Sequence, residues 1–317
     1  MKKFIAILLT ALLVVTMIMP AAAVWEEAAN LMNINFTIKR AYQTPVIDGS
    51  FDGDLAWGDP LPVTAADRTI IWPEGDDAAY ARAKGEDWKI WMVYDDAYLY
   101  MLARASSEGF DNTYEGEDGN IWQASAMQLG FGPVGIADDQ YLEVGIGANG
   151  DTGGLTYVVW FNNSPDKAGE WTADELKANS AVRIDGADVW YETKVPFASF
   201  LPKTTVSQGD QFTTGAVVLI RMPNLDGGTV GSHLAWGIFG ERKGAERFAK
   251  ITLGDQIQPP AEVPTEAPAE APAAAVPEPA APAPTAPKTG DAAAVWLTVM
   301  ILAAAAFVFV KKRVSVK

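Results

Sequence analysis

The central part of the chain, residues 34–255, is predicted to be an all-β domain that forms an antiparallel β-sandwich or jelly roll. Apolar and polar residues alternate there in short runs rich in β-branched and aromatic side chains. Clusters of Gly, Asp, Asn and Pro separate these runs, and helical periodicity is scarce. About ten strands in one domain of roughly 220 residues are typical of a sandwich or jelly roll.

The clearest local signal in this domain is a β-hairpin. Residues Trp88–Tyr94 form one strand, residues 95–97 form a turn, and residues 98–103 form the next strand. Further strands are predicted at residues 126–131, 141–147, 155–161, 181–184, 189–195, 214–221, 234–238 and 248–253. Short helices are predicted near residues 76–84 and 172–176.

The N-terminus has the order of a secretory signal peptide, which we assign to residues 1–23. Lys2 and Lys3 precede an apolar run at residues 4–19, and small residues follow at 20–23. The run is shorter than the ~20 residues that a membrane-spanning helix needs. We therefore expect this signal helix to be cleaved near Ala23, with an uncleaved membrane helix as the alternative. Residues 24–33 form a short N-terminal segment before the domain.

The C-terminus carries a predicted transmembrane helix. Residues 292–310 contain no charged side chain, and Lys311, Lys312 and Arg313 follow at once. This length fits one crossing of a bilayer. Because a basic cluster stays on the cytoplasmic side, an exported chain would keep its central domain outside the cell.

The segment before this helix, Ala286-Pro287-Lys288-Thr289-Gly290-Asp291, completes a second pattern. Residues 286–317 resemble the sorting signal of Gram-positive surface proteins, which combines a Pro-x-Thr-Gly motif, an apolar span and a basic tail. Ala286 stands where leucine is most common in that signal. The resemblance implies that a sortase cuts between Thr289 and Gly290 and joins Thr289 to cell-wall peptidoglycan. A plain membrane anchor, with the domain outside, is the alternative.

Composition excludes several classes of function. The chain of 317 residues has a net charge of −16, which argues against a nucleic-acid partner. It has no cysteine, so neither disulfides nor thiol chemistry occur, and its one histidine, His233, excludes a multi-histidine metal site. Residues 256–288 form a linker rich in Pro, Ala and Glu, which favours an extended polyproline II stalk.

Four segments of the domain resemble family 9 carbohydrate-binding modules and the wider DOMON-like group of sandwiches. The opening Pro45-Val46-Ile47-Asp48-Gly49, followed by Asp52 and Trp57, is the most specific of them. The hairpin at 90–102, the run at 190–197 and the closing strand at 248–253 follow in the family's order. The resemblance covers nearly the whole domain and implies a sandwich that binds a polysaccharide or oligosaccharide without catalysis.

The matching residues are expected to be mainly scaffold. Asp48 and Gly49 suit a tight turn, because glycine tolerates positive φ and aspartate caps nearby amides. Trp57 is expected to fill the sandwich core. Glu192 is expected on a strand face, paired or solvated.

Three tryptophans in loop-like contexts, Trp72, Trp122 and Trp171, are candidate platforms for stacking on a sugar ring. The resemblance aligns Trp122 with the family's first stacking tryptophan. Gln123 follows it, where the family has a Glu-x-Asp segment, and we include Gln123 as a candidate ligand contact. The family's second tryptophan has no counterpart in residues 240–246, and Glu143 lies where the family has an arginine.

The acidic loop at residues 108–118 is a candidate calcium site. Asp111, Glu115 and Asp118, with Asn112 and Glu117 nearby, supply the hard oxygen donors that calcium prefers. A solvated acidic loop is the alternative. No other cofactor is indicated.

The sequence therefore predicts a non-catalytic carbohydrate-binding protein displayed at the cell surface. One alternative is a structural or adhesive surface domain without a small ligand. Another is a haem-binding redox domain of the DOMON type, with His233 and Met222 as axial ligands. A glycosidase would need two placed carboxylates, and no motif indicates such a pair.

Overall fold

A computed structural model describes residues 23–73, 75–84, 88–106, 121, 125–137, 139–149, 154–221, 229–234 and 244–259. All of them lie within the first of the two units into which the chain divides, Met1–Ala261. Residues 1–22, most of the linker, Thr289, Gly290 and the span at 292–310 lie outside the described residues. Within the described part, no helix is long and apolar enough to cross a membrane.

The described residues form thirteen strands, three short α-helices and three 3₁₀ turns. The strands are β1 (Ala23–Glu26), β2 (Asn35–Arg40), β3 (Arg68–Pro73), β4 (Trp88–Tyr94), β5 (Tyr98–Ser106), β6 (Ala126–Gly132), β7 (Leu142–Asn149), β8 (Gly154–Asn162), β9 (Ser180–Asp185), β10 (Asp188–Pro196), β11 (Gln211–Arg221), β12 (Thr229–Leu234) and β13 (Ala249–Gln256). The helices are α1 (Asp54–Trp57), α2 (Asp77–Lys84) and α3 (Ala173–Ala178), and the 3₁₀ turns are Ala65–Asp67, Phe197–Ser199 and Ala245–Arg247.

The strands build two layers that pack face to face. Layer 1 consists of β13, β2, β4, β5, β10 and β9, in that order across the sheet. Layer 2 consists of β1, β3, β12, β11, β6, β7 and β8. Strand β11 joins the layers, because its first residues pair with β13 and its last residues pair with β12. The predicted all-β sandwich is confirmed as a mostly β, nearly closed sheet with few helices.

Two features of the sheet differ from the prediction. The pairs β13–β2 and β2–β4 are parallel, whereas all the other pairs among the described strands are antiparallel. Strands β1, β2, β3 and most of β12 were not predicted, and all of the strand expected at 234–238 except Leu234 lies outside the described residues. Strand β2 does carry alternating apolar residues, since Ile34 just before it and Phe36 and Ile38 within it face the main core, but only this one short run marks it.

The main core lies between the layers and follows the period of two. Strands β4 to β7 each direct alternate apolar residues into it. These residues are Ile90, Met92, Tyr94, Leu99, Met101, Ala103, Met127, Leu129, Phe131, Leu142, Val144 and Ile146. Phe200 packs against Phe131 and Phe212 at one end of this core. Each large side chain buried here stabilises the fold by about 1.5–3 kcal/mol relative to its exposure.

A segment that we call the strap, residues 41–57, crosses the outer face of layer 1. It packs Ile47, Leu55 and Trp57 onto a second apolar cluster of that face, which contains Trp91, Val93, Tyr100 and Leu102. Trp57 is fully buried, as expected, but it fills this outer cluster and not the core between the layers. The strap therefore covers the part of the outer face that β4 and β5 line with Trp91, Val93, Tyr100 and Leu102.

The strap is fixed to layer 1 by the carboxylate of Glu192 in β10. Glu192 is fully buried, and its Oε2 accepts hydrogen bonds from the backbone N–H groups of Asp48 at 2.9 Å and Gly49 at 2.7 Å. Gly49 has a φ of +78°, and a Cβ there would lie 3.0 Å from the Cβ of Arg183. Two motifs of the sequence, 143 positions apart, therefore form one interaction.

Burial raises the pKa of Glu192 to about 7, although the two N–H donors favour the charged form. The folded chain then holds a proton that the unfolded chain releases near pH 4.5. The contribution of Glu192 to stability is therefore complete below that pH and is lost as the pH rises through about 7. We expect the free energy of unfolding of Glu192→Gln to fall less between pH 5 and pH 8 than that of the wild type, by about 2 kcal/mol.

Urea denaturation at the two pH values measures this difference. Glu27→Gln, which removes an exposed carboxylate, should follow the wild-type profile. Parallel profiles for Glu192→Gln and the wild type would show that Glu192 does not titrate in this range.

Candidate functional site

The outer face of layer 2 carries polar side chains that are buried. On this face β6 presents Gln128 and Gly130, and β7 presents Glu143 and Gly145, because their neighbours point into the main core. The register places Gln128 opposite Gly145 and Gly130 opposite Glu143, so Gln128 and Glu143 are diagonal neighbours about 7 Å apart. They are 3% and 1% exposed. We call these four residues, with the aromatic rings around them, the outer-face site.

The two glycines make room for aromatic rings on the sheet. A Cβ at Gly130 would collide with the ring of Phe248. A Cβ at Gly145 would lie 2.6 Å from ring atoms Cη2 and Cζ3 of Trp160 and 2.8 Å from Cδ1 of Ile121. The polar pair is therefore flanked by rings that lie flat on the strands.

A β-bulge brings two consecutive aromatic residues of β8 to this face. Phe161 lies opposite Glu143 and Val159 opposite Val144, so Trp160 is the extra residue between them. The ring of Trp160 reaches Gly145, and the ring centroid of Phe161 lies 5.5 Å from that of Tyr141. Phe161 is 39% exposed, so part of its ring is open to a ligand.

Hydrogen-bonding groups surround the polar pair. The hydroxyl of Tyr141 donates to Oε2 of Glu143 at 3.1 Å. Burial, followed by the nearby Glu143, raises the pKa of Tyr141, so its phenol stays protonated at neutral pH. The hydroxyl of Thr156, opposite Gly147, is buried and has no hydrogen-bond partner among the described residues. The site thus combines an amide, a carboxylate, a phenol and a hydroxyl.

The structure corrects one predicted ligand contact. Trp171 is 1% exposed and belongs to the main core, where it has no ring face open to a ligand. It directly precedes Thr172, whose side chain caps α3 together with Glu175. A short helix at this point turns Trp171 inward, although its sequence context is typical of a loop.

The other predicted site residues lie elsewhere or outside the described part. Trp72 lies in β3 and not in a loop, half-buried, with its ring 4.4 Å from that of Tyr80. The structure therefore does not bring Trp72 and Trp171 to a common surface. Outside the described residues lie Trp122, Gln123, Asp111, Glu115 and Asp118, so the stacking role of Trp122 and the calcium site stay predictions. Ile121, which directly precedes Trp122, is buried beside Gly145.

No cluster of three or more His, Cys, Asp or Glu side chains suited to a metal ion occurs within the described ranges. The backbone of His233 lies in β12, opposite Val217 and Thr69, and Met222 lies outside the described residues. The haem alternative therefore stays untested.

Sequence reasoning missed most of the outer-face site. Two signals could have revealed it. The alternation Gly130-x-Gly132 in β6 and Gly145-x-Gly147 in β7 leaves one face of two neighbouring strands without side chains. The doublet Trp160-Phe161 interrupts the period of two, as a bulge does.

No protein-family model and no curated protein sequence matches the chain. Among solved structures, a family 9 carbohydrate-binding module from Caldicellulosiruptor kristjanssonii in complex with cellotriose is 14% identical, with a TM-score of 0.45. That match covers 72% of this chain and 98% of the module. The same kind of module in complex with glucose is 13% identical and has the same TM-score. That match covers 71% of this chain and 100% of the module. A putative carbohydrate-binding protein from Bacteroides uniformis is 12% identical and also has a TM-score of 0.45. That match covers 69% of this chain and 99% of the neighbour.

The fit between Gly130 and Phe248 is open to a double-mutant test. Gly130→Ala should lower the free energy of unfolding by about 2 kcal/mol, because the added methyl group forces the Phe248 ring off the sheet. In a Phe248→Ala background the same change should cost far less, since the three nearest atoms to that methyl all belong to Phe248. Equal costs in both backgrounds, measured by urea denaturation, would contradict this packing.

Proposed function

We propose that this chain is a non-catalytic saccharide-binding protein and that the outer-face site is its binding surface. The observation that carries the proposal is the partly exposed ring of Phe161, which lies on this face above the buried polar pair Gln128 and Glu143. A saccharide presents an apolar face of C–H bonds and an edge of hydroxyl groups. The outer-face site offers a matching surface for each.

The aromatic part of the site is suited to the C–H face of a sugar. Phe161 exposes part of its ring, and Trp160 lies beside it on the same side of β8. An aromatic ring that covers a sugar face removes apolar area from water and meets the polarised C–H bonds with its π-system. Both rings are held by contacts to Tyr141 or to the sheet, so little conformational entropy is lost on binding.

The polar part of the site is suited to hydroxyl groups. The Gln128 amide both donates and accepts hydrogen bonds, and the Glu143 carboxylate accepts them. Tyr141 holds the carboxylate in place through its own hydrogen bond. Because the pair is 3% and 1% exposed, sugar hydroxyls reach this acceptor and amide only when the flanking rings move aside, and such contacts distinguish a sugar from a plain apolar ligand.

Trp122 belongs to the same proposal. Ile121, the residue before Trp122 in the chain, is buried beside Gly145 of the outer-face site. The stacking role predicted for Trp122, with Gln123 as a polar neighbour, is therefore compatible with this surface. The resemblance to family 9 modules independently favoured Trp122.

We further propose that the domain is exported and displayed at the cell surface. The order of signal peptide, domain, proline-rich stalk and sorting signal supports this proposal. A stalk over residues 256–288, extended at ~3.1 Å per residue, would reach roughly 90 Å. Thr289 would form the bond to peptidoglycan, and residues 292–310 would hold the chain in the membrane until the sortase acts.

One observation favours the alternative of a structural or adhesive domain. Phe248 and Trp160 of the chain itself occupy the space above Gly130 and Gly145. These rings could complete the fold without any ligand. Direct binding measurements separate the two functions.

Two exposed phenylalanines provide a matched test of the binding surface. Phe161 on layer 2 and Phe51 on the strap are 39% and 38% exposed, and each contacts one aromatic neighbour at a centroid distance of 5.5 Å. We expect Phe161→Ala to weaken binding of a neutral saccharide about tenfold, which corresponds to about 1.4 kcal/mol of lost stacking. Phe51→Ala should change it less than about twofold.

A glycan array screened with residues 24–288 identifies the saccharide, and titration calorimetry compares the variants. Trp122→Ala should weaken binding at least as much as Phe161→Ala. A wild-type protein that binds no glycan would favour the adhesive alternative. Equal losses in Phe161→Ala and Phe51→Ala would remove the outer-face site from the proposal.

The anchoring proposal has a separate test on whole cells. We expect a peptidoglycan-degrading enzyme to release the protein, because Thr289 is bonded to the wall. Thr289→Ala should abolish this release and leave the protein extractable by detergent alone. Wild-type protein that only detergent extracts would establish the plain membrane anchor instead.

A further inference from the structure

A row of cationic and aromatic side chains crosses the outer face of layer 1. In β4, β5, β10 and β9 the register places Lys89, Arg104, Trp190 and Arg183 directly beside one another. Their neighbours along each strand point into the main core, so all four side chains lie on the outer face. We call these four residues the cationic row.

Trp190 is the centre of the row. The guanidinium carbons of Arg104 and Arg183 lie 5.7 Å and 5.9 Å from its ring centroid, at cation–π distance. The ring also stacks on Trp91, with centroids 6.0 Å apart and an interplanar angle of 23°. The row is therefore a pre-ordered surface, and a ligand that binds there need not immobilise it.

The strap ends at this row and leaves it uncovered. Glu192, which holds the strap, is the next outward residue of β10 after Trp190. Gly49 of the strap lies against Arg183. Beyond that contact Lys89 and Arg183 are exposed and Trp190 is half-buried. Solvent therefore reaches the row on this side of the strap.

The carboxylates near the row neutralise it only weakly. Asp185 lies 3.8 Å from the guanidinium of Arg183, and Asp188 lies 4.0 Å from that of Arg104. These distances are longer than a charge-assisted hydrogen bond, and an exposed pair such as Arg183 with Asp185 contributes ~0–1 kcal/mol. No ion pair of Lys89 occurs among the described residues. A ligand with its own acidic groups can therefore compete for the guanidinium donors.

We propose that the cationic row binds an acidic polysaccharide, whose acidic groups pair with Lys89, Arg104 and Arg183 while a sugar ring packs against Trp190. Neighbouring strands are about 4.8 Å apart, so the row spans about 14 Å, the length of a few sugar units. Arginine offers paired N–H donors that match a carboxylate, phosphate or sulfate group. This site differs in face and in ligand charge from the outer-face site and does not depend on it.

The acidic character of the whole chain does not prevent this contact. The net charge is −16, which repels a polyanion at long range in low salt. At physiological ionic strength the Debye length is about 8 Å, so carboxylates far from the row are screened. Contacts within the row, at a few ångströms, then decide binding.

The test uses the full chain, purified in mild detergent, at 0.15 M salt on immobilised polysaccharides. Polygalacturonate presents carboxylates, dextran sulfate presents sulfates, and dextran is the neutral reference. We expect the wild type to bind at least one of the acidic polymers. Lys89→Gln combined with Arg183→Gln should weaken that binding at least tenfold, with an unchanged melting temperature because both side chains are exposed. Lys89→Gln alone should weaken it about threefold.

Two controls make the result specific. Lys203→Gln combined with Lys250→Gln removes the same charge away from the row and should change the affinity less than about twofold. Phe161→Ala, on layer 2, should leave binding of the acidic polymer intact. A wild type that binds neither acidic polymer overturns the proposal. Equal losses of affinity in the Lys89→Gln/Arg183→Gln variant and the Lys203→Gln/Lys250→Gln variant overturn it as well. Loss of the acidic polymer in Phe161→Ala would show that the cationic row is not a separate site.

Discussion

The buried carboxylate of Glu192 determines how the rest of the domain is arranged. It accepts the backbone N–H groups of Asp48 and Gly49 and thereby holds the strap on layer 1. With the strap in place, β4 and β5 can be apolar on both faces, as Trp91, Val93 and Tyr100 are. A charge buried without a cationic partner is costly, and the raised pKa of Glu192 reflects that cost. The interaction fixes the position of the strap, because the turn at Asp48 and Gly49 presents two adjacent N–H groups to the Glu192 carboxylate.

The strap covers part of the outer face of layer 1, whereas the outer face of layer 2 carries a site formed by the sheet itself. The glycines of β6 and β7 are essential there, because any side chain at Gly130 or Gly145 would meet the ring of Phe248 or Trp160. The β8 bulge then supplies both Trp160 and Phe161 from one strand. Polar groups at the bottom of such a surface stay oriented because Tyr141 and the flanking rings restrict them. The fold thus fixes the side chains of this face through strand residues alone.

The sequence predicted the part of this architecture that periodicity encodes. Strands β4 to β11 were found because their apolar residues alternate, and α2 and α3 lie where short helices were predicted, near residues 76–84 and 172–176. Strand β2 was missed although Phe36 and Ile38 alternate toward the core, and its parallel pairings have no local signature. The roles of Asp48, Gly49 and Glu192 were recognised as scaffold, but their contact spans 143 positions and no local pattern reports it. Trp171 was predicted to contact a ligand for a related reason. Its burial depends on contacts with the main core, which no local pattern of the sequence reports.

The two proposed surfaces, the outer-face site and the cationic row, are separated by the sandwich itself. Two packed sheets lie about 10 Å apart, and each surface is on the outward side of its own layer. Substitutions more than about 7–10 Å apart without shared partners act independently, so each surface can change its ligand without disturbing the other. The charges on the two faces point to different partners as well. Glu143 offers acceptors to hydroxyl groups, whereas Arg104 and Arg183 offer donors to anions. If both proposals hold, a single domain would bind a neutral and an acidic polymer at once, and each bound polymer would raise the effective concentration of the other.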